Sequence, residues 1–257
     1  MRWFGLLPLN AVLLLAACGS DGGADAAEPH ELTVSAAASL ADAFTDIGRA
    51  FEDREPGATV TFNFGPSDGL AGQIKEGAPV DVFASASPTW MDSVQEEGPG
   101  VSGRADFARN RLAIVVPADN PAEIEGLDDL AEDDVKLVLA AEGVPVGDYA
   151  RGVLANAGID DATLANVVSN EEDAAAVLTK VLSGDADAGI VYVTDRTPDV
   201  ADEVSVVEIP DDVNVIATYS IAVVTGAQEA DLAQRFVDFV LDDGQETLAA
   251  YGFLPAS

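Results

Sequence analysis

The stretch Val34–Phe44, VSAAASLADAF, begins as an apolar strand, passes through three alanines and changes at Ser39 to the spacing of a helix. A strand that turns into a helix through small residues is the repeating unit of a sheet covered by helices. Small side chains at Ala36, Ala37 and Ala38 keep the approach to the first helical N–H groups open, and the Ser39 hydroxyl is placed to cap them. Free amides beside a hydroxyl in an unobstructed corner suit an anion.

The alternation continues on both sides of this stretch. LTVSA leads into LADAFTDIGRAFED, ATVTFNF into GLAGQIKEG, and VDVFAS into PTWMDSVQEE, a pattern that predicts a parallel sheet with covering helices. After the strand-like RLAIVVP (Arg111–Pro117) a second series follows: GLDDLAED, VKLVLA, GDYARGVLANAG, NVVS, EDAAAVLTKVLSG and ADAGIVYVTD. EVSVVEIP and ATYSIAVVTG give two more strands. The closing EADLAQRFVDFVLDDGQETLAAYGF has helical spacing at Leu232, Phe236, Phe239 and Val240. RLAIVVP and TYSIAVV are long extended segments without loop signals, where a chain would cross out of one lobe and return. They favour two α/β lobes, with crossings near Val116 and Pro210, over one continuous doubly wound sheet.

The N-terminus is of another kind. Arg2 is followed by WFGLLPLNAVLLLAA, an apolar run too short for a membrane span and ended by LAACGS, so residues 1–17 read as a secretory signal peptide. Leu15-Ala16-Ala17-Cys18 resembles the lipobox of prokaryotic lipoproteins, in which the cysteine becomes the lipidated first residue. Cys18 is the single cysteine of the chain and has no disulfide partner within it, an anomaly that lipidation removes. Residues 18–30, small, acidic and glycine-rich, then form a flexible tether to a folded part that starts near Glu31. The expected location is extracytoplasmic, anchored to the cell membrane.

The chain of 257 residues carries 46 acidic and 12 basic residues, a net charge of −34 that becomes −35 once the leader with Arg2 is removed. Such a field repels nucleic acid and anionic headgroups, and it excludes a broad basic surface for gathering anions. Catalytic groups are scarce. The one histidine, His30, falls in the tether and the one cysteine in the lipobox, which excludes a Ser-His or Cys-His nucleophile and a His/Cys metal site. No phosphate-binding GxxxxGK[ST] occurs, and the carboxylates fall mostly on helix faces, where solvation is their ordinary role. No cofactor is expected.

What recurs is a helix start beside small residues. FNFGPSDGLAGQI places Ser67 just before a helix after a turn shaped by Gly65 and Pro66. EGVPVGDYARGVL leaves amides near Val146 free, and SNEEDAAAVL starts a helix at Ala174. Each alone is commonly just a helix terminus. Four of them at strand ends in a two-lobed chain point to a ligand held at helix N-termini.

In order along the chain, AAASLADAF, FNFGPSDGLAGQIKEGAPVDVFASA, AGIVYVTD and AAYGF resemble the signatures of the extracytoplasmic molybdate-binding proteins that feed ATP-binding-cassette importers, over residues 31–254. The resemblance implies a two-lobed periplasmic-binding-protein fold of type II, each lobe a mostly parallel sheet flanked by helices, joined by two crossing segments. The lobes are then residues 31–115 with 211–257, and residues 116–210. It implies that an oxyanion, molybdate or tungstate, is held by hydroxyls and backbone amides at Ser39, Ser67, Val146, Ala174 and Tyr192, with no protein ligand bonded directly to the metal. It also implies an importer permease and its ATPase as partners, and a monomer. Roughly six hydrogen bonds to a charged ligand, at about 1.5–3 kcal/mol each, cover the approximately 8–12 kcal/mol that micromolar to nanomolar capture requires, so neutral donors suffice.

The pattern departs from the family at GPSDG, where Asp68 follows Ser67. A carboxylate about 6 Å from an anion costs roughly 3 kcal/mol at an effective dielectric of 20. Asp68 therefore either faces solvent or accepts a proton from a ligand such as phosphate. The competing readings are the same fold with phosphate, sulfate or thiosulfate, an enzyme that uses cleft carboxylates on this scaffold, and a surface adhesin with an empty cleft.

Overall fold

The structure, a computed structural model, describes residues 30–257. The expected leader, the expected lipidation of Cys18 and all of the expected tether except its last residue lie outside the described residues. His30, assigned to the tether by sequence, instead opens the first strand, where it pairs with Ala58 and hydrogen-bonds Glu229 at 3.1 Å.

Two five-stranded sheets make two α/β lobes. The first contains β1 (His30–Ala37), β2 (Ala58–Gly65), β3 (Val82–Ser85), β4 (Val101–Asn110) and β10 (Ala217–Val224) in the order β2-β1-β3-β10-β4. The second contains β5 (Leu112–Pro117), β6 (Leu137–Ala140), β7 (Val167–Glu171), β8 (Ala188–Tyr192) and β9 (Val204–Glu208) in the order β7-β6-β8-β5-β9. Pairing is parallel except along β10 in the first sheet and β5 in the second. The odd strand in each sheet is the one by which the chain has just arrived from the other lobe, so the two sheets share one plan.

Burial follows this arrangement. β1 sits between two parallel neighbours, and its second half, Val34 to Ala37, is buried on both faces, as its unbroken apolar run requires. β2, at the sheet edge, alternates and puts Val60, Phe62 and Phe64 on the covered face. Helices α1 (Ala41–Arg54) and α7 (Ala230–Leu241) close over that face through edge-to-face rings, Phe51 lying 5.2 Å from Phe236 and Phe44 lying 6.2 Å from it. Leu232, Phe236 and Val240 are buried at the predicted helical spacing, while Phe239 is partly buried. The terminal helix is broken in two at Asp242 and Asp243, α8 (Gly244–Ala250) following the break.

Four further expectations are revised. The outward crossing falls at Arg111 rather than near Val116: Asn110 is the last residue of β4 in the first sheet, and Leu112 already pairs with Tyr192 in the second. All of β5 therefore belongs to the second lobe. The return crossing spans residues 209–216, between β9 and β10, and includes Pro210. β4 itself escaped the sequence reading because it is an irregular edge strand, with two register shifts against β10 and the polar run Ser102–Arg104 on its exposed part. GLDDLAED forms only a short 3-10 turn, Asp128–Ala131. Ser39 does not cap α1; it lies inside a 3-10 turn, Ala38–Leu40, that precedes that helix, and its side chain is engaged elsewhere.

The two crossings are tied to one another. The Asn214 side chain accepts from Leu112 N–H at 3.2 Å and donates to the Leu112 carbonyl at 2.9 Å, and Arg111 pairs with Asp211. In the second lobe α4 (Pro145–Ala157) starts hard against the end of β6. A methyl group on Gly147 would lie 2.2 Å from the Ala141 carbonyl oxygen and 2.5 Å from that of Ala140. Gly147→Ala is expected to lower unfolding free energy by about 3 kcal/mol or more, because the obstructing atoms are backbone. Urea denaturation with an unchanged midpoint would show that α4 can shift away from β6 without cost.

Candidate functional site

The carboxyl ends of β1, β2 and β3 face those of β6 and β8 across a cleft, so the turns after these strands meet there. The first lobe lines it with Ala37, Ala38, Ser39, Gly65, Pro66, Ser67 and Ala86, and the second with Val144, Pro145, Val146, Asp173, Ala174 and Tyr192. All five residues expected from the sequence are brought together. The space between these residues is small, about 20 Å³, which favours a compact guest over an organic solute.

Each position has a local cause. Ser67 is the first residue of α2 (Ser67–Lys75), and its buried hydroxyl accepts from Ala86 N–H at 3.0 Å, which ties the turn after β2 to the turn after β3. Val146 stands second in α4 behind Pro145, which has no N–H to offer, so its amide precedes the first residue able to bond within the helix. Ala174 opens α6 (Ala174–Leu182) behind Asp173, whose side chain caps the helix by accepting from Ala176 N–H at 2.8 Å. The Ala174 amide is left free by the same geometry.

Tyr192 ends β8 and is 3% exposed, yet among the described residues its hydroxyl has no hydrogen-bond partner. Burial holds its pKa well above the ordinary tyrosine value, with the nearby hydroxyls of Tyr219 and Tyr149 adding to the effect, so it is a permanent neutral donor. A buried hydroxyl without a partner is costly in any fold and needs an explanation. Among the described residues no Lys, Arg or His lines the cleft, and no group of three or more His, Cys, Asp or Glu could hold a metal ion.

Asp68 is not among the lining residues, and one of its carboxylate oxygens is buried without a partner. The acids that do approach are Asp173 and Asp195, neither of which the sequence reading placed in the site. Asp195 accepts from Tyr192 N–H at 2.8 Å and so fixes the end of β8. Desolvation pushes its pKa up to about 7, Tyr192 N–H pulling the other way and Asp173 adding to the rise. The sequence also gave no sign of two hydrogen bonds that close the mouth. Trp90 Nε1 donates to the Gly143 carbonyl at 2.9 Å, and the Tyr149 hydroxyl to the Ala86 carbonyl at 3.2 Å, each joining one lobe to the other.

The family model described as bacterial extracellular solute-binding protein matches residues 32–254. The chain belongs to this family. It is 40% identical over 249 residues to the molybdate-binding protein ModA of Mycobacterium tuberculosis, covering 93% of this chain and 94% of that one. To the molybdate-binding protein ModA of Escherichia coli it is 32% identical over 260 residues, covering 98% of each. The periplasmic molybdate-binding protein of Azotobacter vinelandii superposes with a TM-score of 0.76 over 87% of this chain and 98% of that one, at 20% identity, a likeness of fold. The two lobes are thus the type II periplasmic-binding-protein fold. The chain is an extracytoplasmic solute-binding protein of a transporter and not an enzyme, and the cleft carboxylates are not acid and base for a reaction.

Two outcomes follow from this geometry. Because the folded protein keeps the Asp195 proton up to about pH 7 while the unfolded chain releases it near the ordinary carboxylate value of 3.8, this group lowers stability progressively as pH rises from about 4 to 7. Asp195→Asn, which keeps an acceptor for Tyr192 N–H, is expected to narrow the fall in melting temperature between pH 5 and pH 8; an identical fall in both proteins would show the carboxylate to be well solvated. Trp90→Phe removes one cross-cleft hydrogen bond, about 0.5–1.5 kcal/mol. Small-angle scattering of the variant without ligand should report a larger radius of gyration than wild type, and equal radii would mean that this bond does not hold the lobes shut.

Proposed function

We propose that the chain captures molybdate or tungstate in this cleft and presents it to the permease of an ATP-binding-cassette importer. The observation that carries the proposal is the Tyr192 hydroxyl, buried, un-ionised and without a hydrogen-bond partner among the described residues, on a residue that lines one cavity with Val146 and Ala174 from the first turns of α4 and α6. A tetrahedral dianion supplies acceptors on all sides and would pair with every donor at once. Ser39 and Ser67 donate from the first lobe, and Val146, Ala174 and Tyr192 from the second. The ligand thereby bridges the lobes and favours their closure. The identity with molybdate-binding relatives over nearly their whole lengths supports the same choice of ligand.

The working protein is a monomer anchored through a lipidated Cys18, its lobes moving about Arg111 and residues 209–216, and the closed form is the one the permease and its ATPase accept. Size and charge do not separate molybdate from tungstate, which offer the same acceptors in the same geometry.

Calorimetric titration of the folded part with molybdate, tungstate, sulfate and phosphate at neutral pH tests this reading. Tight one-to-one binding of the first two, with sulfate and phosphate silent, is expected. Phosphate binding alone, or silence from all four, would overturn it. Ser39→Ala should weaken molybdate binding about tenfold to a hundredfold, the loss of one hydrogen bond to a charged ligand, and should lower the melting temperature of the free protein modestly, because the Tyr219 hydroxyl loses its partner. Unchanged affinity in that variant would remove Ser39 from the site.

A further inference from the structure

A hydroxyl that serves an oxyanion must donate, and a serine has one proton to give. Ser67 Oγ accepts from the Ala86 N–H at 3.0 Å, and a backbone N–H can only donate, so the sense of that bond is fixed. The Ser67 proton is therefore left over. Among the described residues no acceptor takes it, although Ser67 is buried and lines the cleft. A buried hydroxyl that accepts without donating is only half paired, and an anion in the cleft completes it.

That polarity depends on where the Ala86 N–H points, and Ala86 is the middle of the Ser85–Ala86–Ser87 turn that joins β3 to α3 (Pro88–Glu97). One side chain closes this turn. Ser85, the last residue of β3 and fully buried, donates its hydroxyl proton to the Ser87 carbonyl at 2.7 Å and accepts the Ser87 N–H at 3.2 Å. Both senses are fixed by chemistry, because a carbonyl only accepts and an amide N–H only donates. The backbone N–H and carbonyl of Ser87 are thus tied back to Ser85, with Ala86 enclosed between them. Ser87 is anchored on its far side as well, its side chain capping α3 by accepting from Thr89 N–H at 3.3 Å.

We propose that Ser85 is a positioning residue for the ligand: by closing the turn after β3 it aims the Ala86 N–H at Ser67 Oγ, and so commits the Ser67 hydroxyl to donate to the bound oxyanion. Ser85 is not itself among the residues that line the cleft. The proposal rests on the molybdate reading, since it needs an anion at Ser67. It also gives a part in the site to the segment VFASAS, Val82–Ser87, which contains none of the five expected ligand residues.

A double-mutant cycle on molybdate affinity tests it, with wild type, Ser85→Ala, Ser67→Ala and the double variant titrated side by side. Ser67→Ala is expected to weaken binding about tenfold to a hundredfold and Ser85→Ala about threefold to tenfold, while the double variant binds nearly as Ser67→Ala does, because without the Ser67 hydroxyl there is nothing left to orient. Losses that multiply, or a Ser85→Ala variant that binds like wild type, would overturn the proposal. A purely structural role for Ser85 gives the multiplying result. If Ser85→Ala does not yield folded protein, Ser85→Cys, which keeps the shape but donates and accepts only weakly, enters the same cycle with the same criterion. Failure of wild type to bind molybdate would overturn the functional reading and this proposal with it, whereas binding without coupling strikes only at the role of Ser85.

Discussion

The constraint that organises this molecule is a set of hydrogen-bond donors kept dry and unpaired. Val146 and Ala174, at the starts of α4 and α6, line one small space together with Tyr192, whose buried hydroxyl has no hydrogen-bond partner among the described residues. Such a state is unfavourable by itself, so the surrounding structure has to impose it. It does so through rigid attachments. The start of α4 follows the buried strand β6, the Ser67 turn is bonded to Ala86, and Gly147 lets α4 press directly on the end of β6. The small residues at Ala36 to Ala38 have the same purpose, since a larger side chain there would fill the space.

The charge of the protein fits this scheme better than it first suggests. A chain at −34 that is to hold an anion would ordinarily need local cations, but most of its described basic residues pair with acids at the surface, as Arg49 does with Asp46 and Lys75 with Glu97, or cover backbone carbonyls, as Arg151 does over Ala140 and Gly147. Neutral dipoles at short range act where the distant negative charges are screened by water and salt. A dry cleft strengthens those dipoles while the solvent outside weakens the field of the surface. Asp195 is the exception: half-buried against the Tyr192 backbone, it gives up part of its charge by holding a proton toward neutral pH.

The fold was largely legible because periodicity and turn chemistry are local. Strand-to-helix alternation located β1 to β3 with their helices, and the helix starts at Ser67, Val146 and Ala174 were visible as proline, glycine and small residues in order. What escaped depended on distant partners. β4 is a polar edge strand whose pairing is set by β10, more than a hundred residues away. Ser39 had every local mark of a helix cap, but a tyrosine 180 residues later takes its hydroxyl. Asp195 reads as a loop acid until its burial is known.

The crossing at Arg111 shows how the site and the motion are built from the same few residues. One residue separates the last strand of the first lobe from the first strand of the second, so an opening motion has to rotate the chain at a point where Asn110 and Leu112 are both held in sheets. The longer return, residues 209–216, is clamped by Asn214 to the Leu112 backbone, so the two crossings are held as one unit. Asn110 sits beside that unit and bonds Thr194 across it, two residues beyond Tyr192. The crossing at Arg111 thus stands within a few bonds of the Tyr192 turn, which joins the part of the chain between the lobes to the site. A ligand that needs the donors of both lobes at once is read by the same movement that encloses it.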